Sequence, residues 1–363
     1  MRIGYIAEPY EEQGASGMGY VVHETMRHML VEGRGTHTFV FYSSTPINRS
    51  FIEGEYENVR MPKGFIRQFI WFLTRRLQVD VLFFMVPLLP LLIRKGTKTI
   101  PILQELEGKD VLSSMSLRTK IVEFTHDRIL LPLTLRRAAC SIVPSNATKK
   151  EVLAAYRIPQ ERLSVIPNGF QNLENVQSIP PAPSLKPYFF FAGRVKFRKN
   201  VHGIVTAFIA FKQRTHTPVQ LVIAGPHGGA YFRELQEKLA QAGLTNDAHF
   251  LGYVSTEELR GLFENALACV FPSLHEGFGM PILEAMSLGV PVITSSVSST
   301  AEVGADAALL VSPTDTHAIS EAMEKIHTDP ALRVTLIKKG LERARLFSWS
   351  RAAREYLALA TTV

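Results

Sequence analysis

The chain has 363 residues, 46% of them hydrophobic and 20% charged, too long for one ordinary core, sufficient for two domains, and too apolar for intrinsic disorder. Two cysteines, Cys140 and Cys269, each in an apolar run, exclude a disulfide framework and read as buried thiols. The net charge is +7, and residues 1–180 hold 22 Lys+Arg against 17 Asp+Glu, which favours an anionic partner there; no groove-reading or stacking motif supports nucleic acid.

The opening MRIGYIA reads as a strand rather than a signal peptide, because no long apolar core follows its single basic residue. A cytoplasmic protein is the expectation. The loop EPYEEQGASGMGYVVHE then carries Gly14, Gly17 and Gly19 between strand and helix. Glycines there let backbone approach a ligand, and a helix N-terminus offers N–H groups to a phosphate. The spacing is neither G-x-G-x-x-G nor a Walker pattern, and a ligand-free turn fits these residues equally well. YVVHETMRHMLVEG has helical spacing and ends in glycine. HTFVFYS, VDVLFFM, TKTIPIL, CSIVPS and LSVIPN complete the strands of the first half, and strand–helix alternation predicts a parallel sheet covered on both faces.

Two segments of this half could meet lipid. VDVLFFMVPLLPLLI at 79–93 contains two prolines and is shorter than the roughly 20 residues a membrane span needs, so it reads as a strand, a turn and a buried helix start. KGFIRQFIWFLTRRL at 63–77 mixes bulky apolar residues with Lys63, Arg67, Arg75 and Arg76. It fits a helix lying on an anionic membrane surface and, equally, a core-packing helix with basic ends. His23 and His126 fall in helical patterns and read as surface or half-buried residues, while His275 beside Glu276 is the better candidate for ligand contact. No His/Cys/Asp cluster has metal spacing.

NLENVQSIPPAPSLKP at 172–187 breaks the alternation and reads as a linker. The pattern then restarts with YFFFAGR, VQLVIAG, AHFLGY, ALACVFPS, PVITS and AALLVSP, separated by helical stretches such as ELQEKLAQAG and AISEAMEKIHT. Two joints, CSIVPSNATKKEV and CVFPSLHEGFGMPILEA, both run from an apolar strand through Pro-Ser into a helix, a weak hint of related halves. Two doubly wound α/β domains imply a cleft, with ligands beyond the carboxyl ends of the strands.

The chemistry concentrates in two loops of the second half. AGRVKFRKN puts Arg194, Lys196, Arg198 and Lys199 at a strand's carboxyl end. Such a run is usually a solvated basic turn; at the mouth of a cleft, two of these cations would neutralise a diphosphate. HEGFGMPILEAMSLGVPVITS places Glu276 in a loop, Gly277 and Gly279 around Phe278, Pro281 at the first helical position, and Glu284 in the first turns of the helix. Amides of such a turn hold phosphate, and carboxylates accept hydrogen bonds from sugar hydroxyls. A carboxylate that merely favours the helix dipole would explain Glu284, but not Glu276 with its glycines.

Here the sequence resembles glycosyltransferase family four, whose members have the GT-B fold. The family's Glu, seven residues, Glu pair matches Glu276 and Glu284, and its Arg…Lys pair matches Arg194 and Lys199. Gly17 and Gly19 resemble its glycine-rich loop; PSNATKKEV, VIPNGF, SSVSSTAEV, AALLVSPTD and FSWSRAA resemble other stretches, densest over 188–350. The resemblance implies two Rossmann-like domains, an acceptor-side domain at 1–172 and a nucleotide-sugar domain at 173–347, with a helix at 348–363 returning to the first. It implies that Glu284 binds the nucleotide ribose and Glu276 the donor sugar, and that Arg194 and Lys199 stabilise the leaving diphosphate. The amides of Phe278, Gly279, Met280 and Ile282 would line sugar and phosphates beside Gly277, and Tyr253 and Val254 would lie by the base.

The family transfers sugars with retention, without cofactor or metal, in keeping with the cation pair and the lack of any Asp-x-Asp here. The implied partners are a GDP- or UDP-sugar, with GDP-mannose preferred on SSVSSTAEV, a glycan or lipid-linked acceptor, and peripheral contact with an anionic membrane. Two departures stand out. Gln104 and Glu105 occupy the place of the family's His-Asp, and Gln104 hydrogen-bonds but carries neither proton nor positive charge. Ala301 replaces a proline before Glu302. Gln104 motivates the rival reading, a sugar-nucleotide-binding protein with weak or no turnover. A nicotinamide dehydrogenase lacks its fingerprint, and a phosphorylase would need a cofactor lysine that nothing identifies.

Overall fold

The computed structural model describes residues 1–8, 17–47, 54–75, 77–85, 96–106, 126–182, 185 and 187–363. Gly14, Arg76, the stretch 86–93 and the side chain of His126 lie outside the described residues. The chain divides into two compact units, Met1–Gly169 with Ser348–Val363, and Phe170–Phe347.

The first unit contains β1 (Arg2–Ile6), α1 (Gly17–Glu32), β2 (Thr38–Ser43), β3 (Glu57–Arg60), α2 (Phe65–Thr74), β4 (Val81–Met85), β5 (Lys98–Ile102), α3 (Leu131–Arg137), β6 (Ser141–Val143), α4 (Asn146–Ala155) and β7 (Leu163–Val165). All its strands are parallel, in the order β3-β2-β1-β4-β5-β6-β7. VLFFM of β4 is buried throughout, as a strand covered on both faces must be. The edge strand ENVR of β3 was not recognisable in the sequence: it is short, charged at both ends and largely exposed, the usual protection of a sheet edge. The C-terminal helix Trp349–Thr362 belongs to this unit. Ser348 caps it, Tyr356 stacks on Phe83 at 6.0 Å, and Arg354 pairs with Glu32 of α1 at 3.2 Å.

The second unit runs β8 (Tyr188–Ala192), α5 (Val201–Thr215), β9 (Gln220–Ala224), α6 (Gly229–Gln241), β10 (Ala248–Gly252), α7 (Thr256–Glu264), β11 (Ala268–Phe271), α8 (Met280–Ser287), β12 (Val292–Ser295), α9 (Ser298–Gly304), β13 (Leu309–Val311), α10 (Thr316–Thr328) and α11 (Pro330–Ala344). Its parallel order β10-β9-β8-β11-β12-β13 is the doubly wound 3-2-1-4-5-6 arrangement. The order reverses between β8 and β11, which pair directly through Ala268 and Phe189. At such a switch point the two following loops diverge, leaving a crevice at the carboxyl ends. The core is aromatic: Phe189, Phe190, Phe191, Phe208, Phe211, Phe263 and Phe271 are fully buried.

The proline-rich segment read as a linker is strapped to α7. Ile179 N–H donates to Glu257 O at 3.1 Å, Ser178 bonds Glu264 at 2.7 Å, and Arg260 donates to the carbonyls of Glu174 and Val176. A Cβ on Gly261 would stand 1.8 Å from Ile179 O, so only glycine lets the strap lie this close. Among the described residues no helix is long and apolar enough to cross a membrane.

Candidate functional site

The switch point of the second sheet holds the two loops that the sequence singles out. After β8 the chain passes Gly193, whose N–H donates to Ala224 O at 2.8 Å, and Val195, whose N–H donates to Pro226 O at 2.9 Å. A single 3-10 turn, Phe197–Lys199, follows. Arg194 is exposed and forms no ion pair among the described residues. Lys199 is folded inward: its Nζ lies 5.0 Å from the centre of the Phe271 ring and 2.7 Å from Glu276 Oε1. The latter contact is an ion pair out of hydrogen-bond alignment. Among the described residues all three N–H donors of the Lys199 ammonium therefore remain available, so it can still meet an anion beside Glu276.

Glu276 is itself buried and its loop is fixed from behind. Ser298 Oγ accepts from Glu276 N–H at 3.4 Å and donates to Glu276 O at 2.7 Å, and Ser299 Oγ donates to the same carbonyl at 2.7 Å. Ser298 holds this position with φ +57°, a left-handed conformation uncommon for serine. The clasp was not legible in the sequence, because SSVSST lies 22 residues further on and is unremarkable by composition. A second tie, Leu274 N–H to Arg198 O at 2.9 Å, links the two loops through their backbones.

Gly279, at φ +103°, turns the chain into α8 without a side-chain cap. The helix begins at Met280, so Pro281 sits one residue later than the sequence suggests. Among the described residues no hydrogen bond engages the N–H groups of Phe278, Gly279 or Met280, whereas Ile282 N–H donates to Gly279 O at 3.1 Å. The first three are free to meet an anion; Ile282 reaches one only if that turn opens. Phe278 is buried against Phe347, with ring centres 5.7 Å apart.

Glu284, one turn into α8, is 8% exposed. Burial pushes its carboxyl up to about 7, against the opposing pull of the Gln171 backbone N–H and the Lys199 charge. A buried carboxyl with so little compensation is poised for a hydroxyl-bearing ligand. The same burial, reinforced by Glu284, raises the neighbouring Cys269 thiol far above its ordinary range. At the end of β10, Tyr253 is 78% exposed and Val254 is half-buried against the core. Gly225 N–H donates to Gly252 O at 2.6 Å, and a Cβ on Gly225 would meet Gly193 O at 2.1 Å, so the loops after β8, β9 and β10 close on one another. Among the described residues no group of His, Cys, Asp and Glu has the geometry of a metal site.

In the first unit, Gly17 and Gly19 belong to the first turn of α1 rather than to a loop before it, Gly17 exposed and Gly19 buried. Gln104 follows β5, and its amide pairs reciprocally with that of buried Asn168: Asn168 Nδ2 donates to Gln104 Oε1 at 2.6 Å, and Gln104 Nε2 to Asn168 Oδ1 at 3.5 Å.

Comparison with known proteins agrees with this arrangement. The family model for glycosyl transferases group 1 matches residues 174–343, and that for glycosyltransferase family 4 matches residues 15–171. The chain belongs to glycosyltransferase family four. O-antigen chain mannosyltransferase B of Escherichia coli is 37% identical over 163 residues, 45% of this chain and 42% of that protein. O-antigen chain mannosyltransferase RfbU of Salmonella typhimurium is 30% identical over 209 residues, 58% of this chain and 57% of that protein. The chain thus spans about half the length of the curated relatives it matches. Among solved structures, sucrose-phosphate synthase of Thermosynechococcus elongatus superposes with a TM-score of 0.76 at 21% identity, covering 99% of this chain and 98% of that one. Anabaena HepE in complex with UDP and glucose gives 0.74 at 17% identity, covering both chains fully. These likenesses establish the GT-B fold.

Proposed function

We propose that this family four member is a retaining, metal-independent glycosyltransferase that moves a hexose, mannose foremost, from a nucleoside-diphosphate sugar to a glycan or lipid-linked acceptor. The observation that carries this reading is the Lys199–Glu276 pair, 2.7 Å apart at the switch point of the second sheet, beside exposed Arg194 and the uncapped start of α8. In this reading the free amides of Phe278, Gly279 and Met280, with the glycine turn at Gly277, receive sugar and phosphates. Glu276 accepts bonds from sugar hydroxyls, Glu284 holds the ribose, and Tyr253 and Val254 flank the base.

During transfer the bond from the anomeric carbon to the diphosphate breaks, and negative charge builds on the leaving oxygen. Lys199 and Arg194 stabilise that charge. The acceptor hydroxyl bonds the same face of the carbon and passes its proton to the leaving diphosphate. The names of the mannosyltransferase relatives support mannose as the sugar, with GDP-mannose the donor preferred on the sequence; the UDP bound to HepE keeps a UDP-sugar as the other choice.

The first unit supplies the acceptor side; in this reading Gly17 and Gly19, in the first turn of α1, serve donor binding, and Gln104, just after β5, serves catalysis. Peripheral contact with an anionic, cytoplasmic membrane face is part of the proposal. It is supported by α2 and its flanks, where Lys63, Arg67, Ile70 and Arg75 are exposed while Gln68 and Phe72 are buried. The Gln104–Asn168 amide pair favours one rival, a protein that binds the donor without transferring it, because both polar ends of Gln104 are already engaged.

The test is release of nucleoside diphosphate from GDP-mannose and from UDP-hexoses by the whole chain. Turnover that falls by about 10²–10³ in Arg194→Ala or Lys199→Ala supports the assignment, by analogy with removal of one oxyanion donor. Donor binding with no release supports the rival.

A further inference from the structure

Asn200 directly follows Lys199 and opens α5 in the left-handed conformation, φ +55°. Asparagine at a helix start ordinarily caps the first turn with its side-chain oxygen. Here it does not; no side-chain bond reaches the helix. The amide is turned away, and Nδ2 donates to two carbonyls, Pro272 O at 3.0 Å and Pro313 O at 2.6 Å. Pro272 immediately follows β11 and begins the loop that carries Glu276. Pro313 lies just past β13. One buried amide therefore ties the basic turn to the ends of two other strands.

The local sequence makes room for it. A Cβ on Gly203 would lie 2.5 Å from Asn200 Oδ1, so this turn of α5 is kept bare where the amide rests. The left-handed backbone is also needed, since the 3-10 turn closes through Asn200 N–H to Phe197 O at 2.8 Å before α5 begins. Of the residues that favour this conformation, glycine would supply the backbone alone, whereas asparagine adds the tie.

We infer that Asn200 is a positioning residue that holds the Lys199 ammonium against Glu276, and so at the diphosphate of the donor. This inference rests on the donor reading above. It separates backbone from side chain: Asn200→Gly keeps the positive φ and removes only the amide, and Asn200→Asp keeps the shape but turns a carboxylate oxygen toward the two carbonyls.

The experiment is calorimetric titration of GDP, UDP and GMP into wild type, Asn200→Gly, Asn200→Asp, Lys199→Ala and the Asn200→Gly/Lys199→Ala double variant, each first checked for wild-type melting temperature. If one of the glycine and aspartate variants fails to fold, the other carries the test. Asn200→Gly is expected to weaken the diphosphate by about tenfold, the scale of one hydrogen bond to a charged group, and to leave GMP within twofold. In the Lys199→Ala background it is expected to add no further loss, because both changes remove one coupled contact. Losses that add fully, equal weakening of GMP, or wild-type GDP and UDP affinity in Asn200→Gly would overturn the inference. Wild-type diphosphate affinity in Lys199→Ala would instead overturn the donor reading itself.

Discussion

Replacing Glu284 by glutamine probes the site through the pH dependence of stability. The carboxyl ionises near 7 in the folded chain because it is buried, against an ordinary value of 4.5. The folded state thus binds a proton that the unfolded state has already lost at any pH between those values. The favourable contribution is full below about pH 4.5 and is lost as pH rises through about 7. The difference corresponds to roughly 3 kcal/mol at about 1.4 kcal/mol per pKa unit. Glutamine has the same shape and no such titration. The stability of Glu284→Gln relative to wild type should therefore rise by roughly 3 kcal/mol between pH 4.5 and pH 8.5. For a unit of this size that is roughly 6–12 °C in the melting temperature of the second unit. Scanning calorimetry at five pH values reads it directly. A difference that stays flat with pH would refute the idea that Glu284 is buried without adequate compensation.

Further outcomes follow from the same geometry. Nucleoside diphosphate binding should release close to one-half of a proton at about pH 7, if ribose hydroxyls draw Glu284 into its ionised form; titration in two buffers of different ionisation enthalpy measures it, and Glu284→Gln should abolish it. Gly261→Ala should destabilise the second unit by about 1–3 kcal/mol, because its Cβ meets the Ile179 carbonyl at 1.8 Å; proteolysis within residues 172–182 should accelerate together with the fall in melting temperature. Vesicle flotation should recover the chain with anionic lipid at low salt and lose it at high salt, and Arg67→Glu with Arg75→Glu should weaken that recovery.

The strand alternation was legible because parallel strands buried on both faces read as continuous apolar runs, as YFFFA, ACVF and VLFFM do. ENVR escaped because an edge strand has no buried face to write a pattern. The two loops that make the candidate site were legible for a different reason: glycines, clustered cations and isolated carboxylates depart from what a solvated turn needs. Their supports were not. Asn200 acts on Pro272 and Pro313, 72 and 113 residues away, and Ser298 acts on Glu276 from 22 residues downstream. The strap at 172–182 looked free because its partners, Arg260 and Gly261, contribute a guanidinium and a missing side chain from a distant helix. Only packing brings such pairs together, and a single sequence does not record it.

The most direct measurement is a thermal-shift panel of GDP-, UDP-, ADP- and dTDP-sugars on the whole chain, with Glu284→Ala alongside. A ligand bound only by the folded state raises its melting temperature. GDP-mannose, or failing it one UDP-hexose, is predicted to raise the wild-type melting temperature and to leave Glu284→Ala unmoved. A panel in which no nucleotide sugar shifts the wild-type chain would contradict the account.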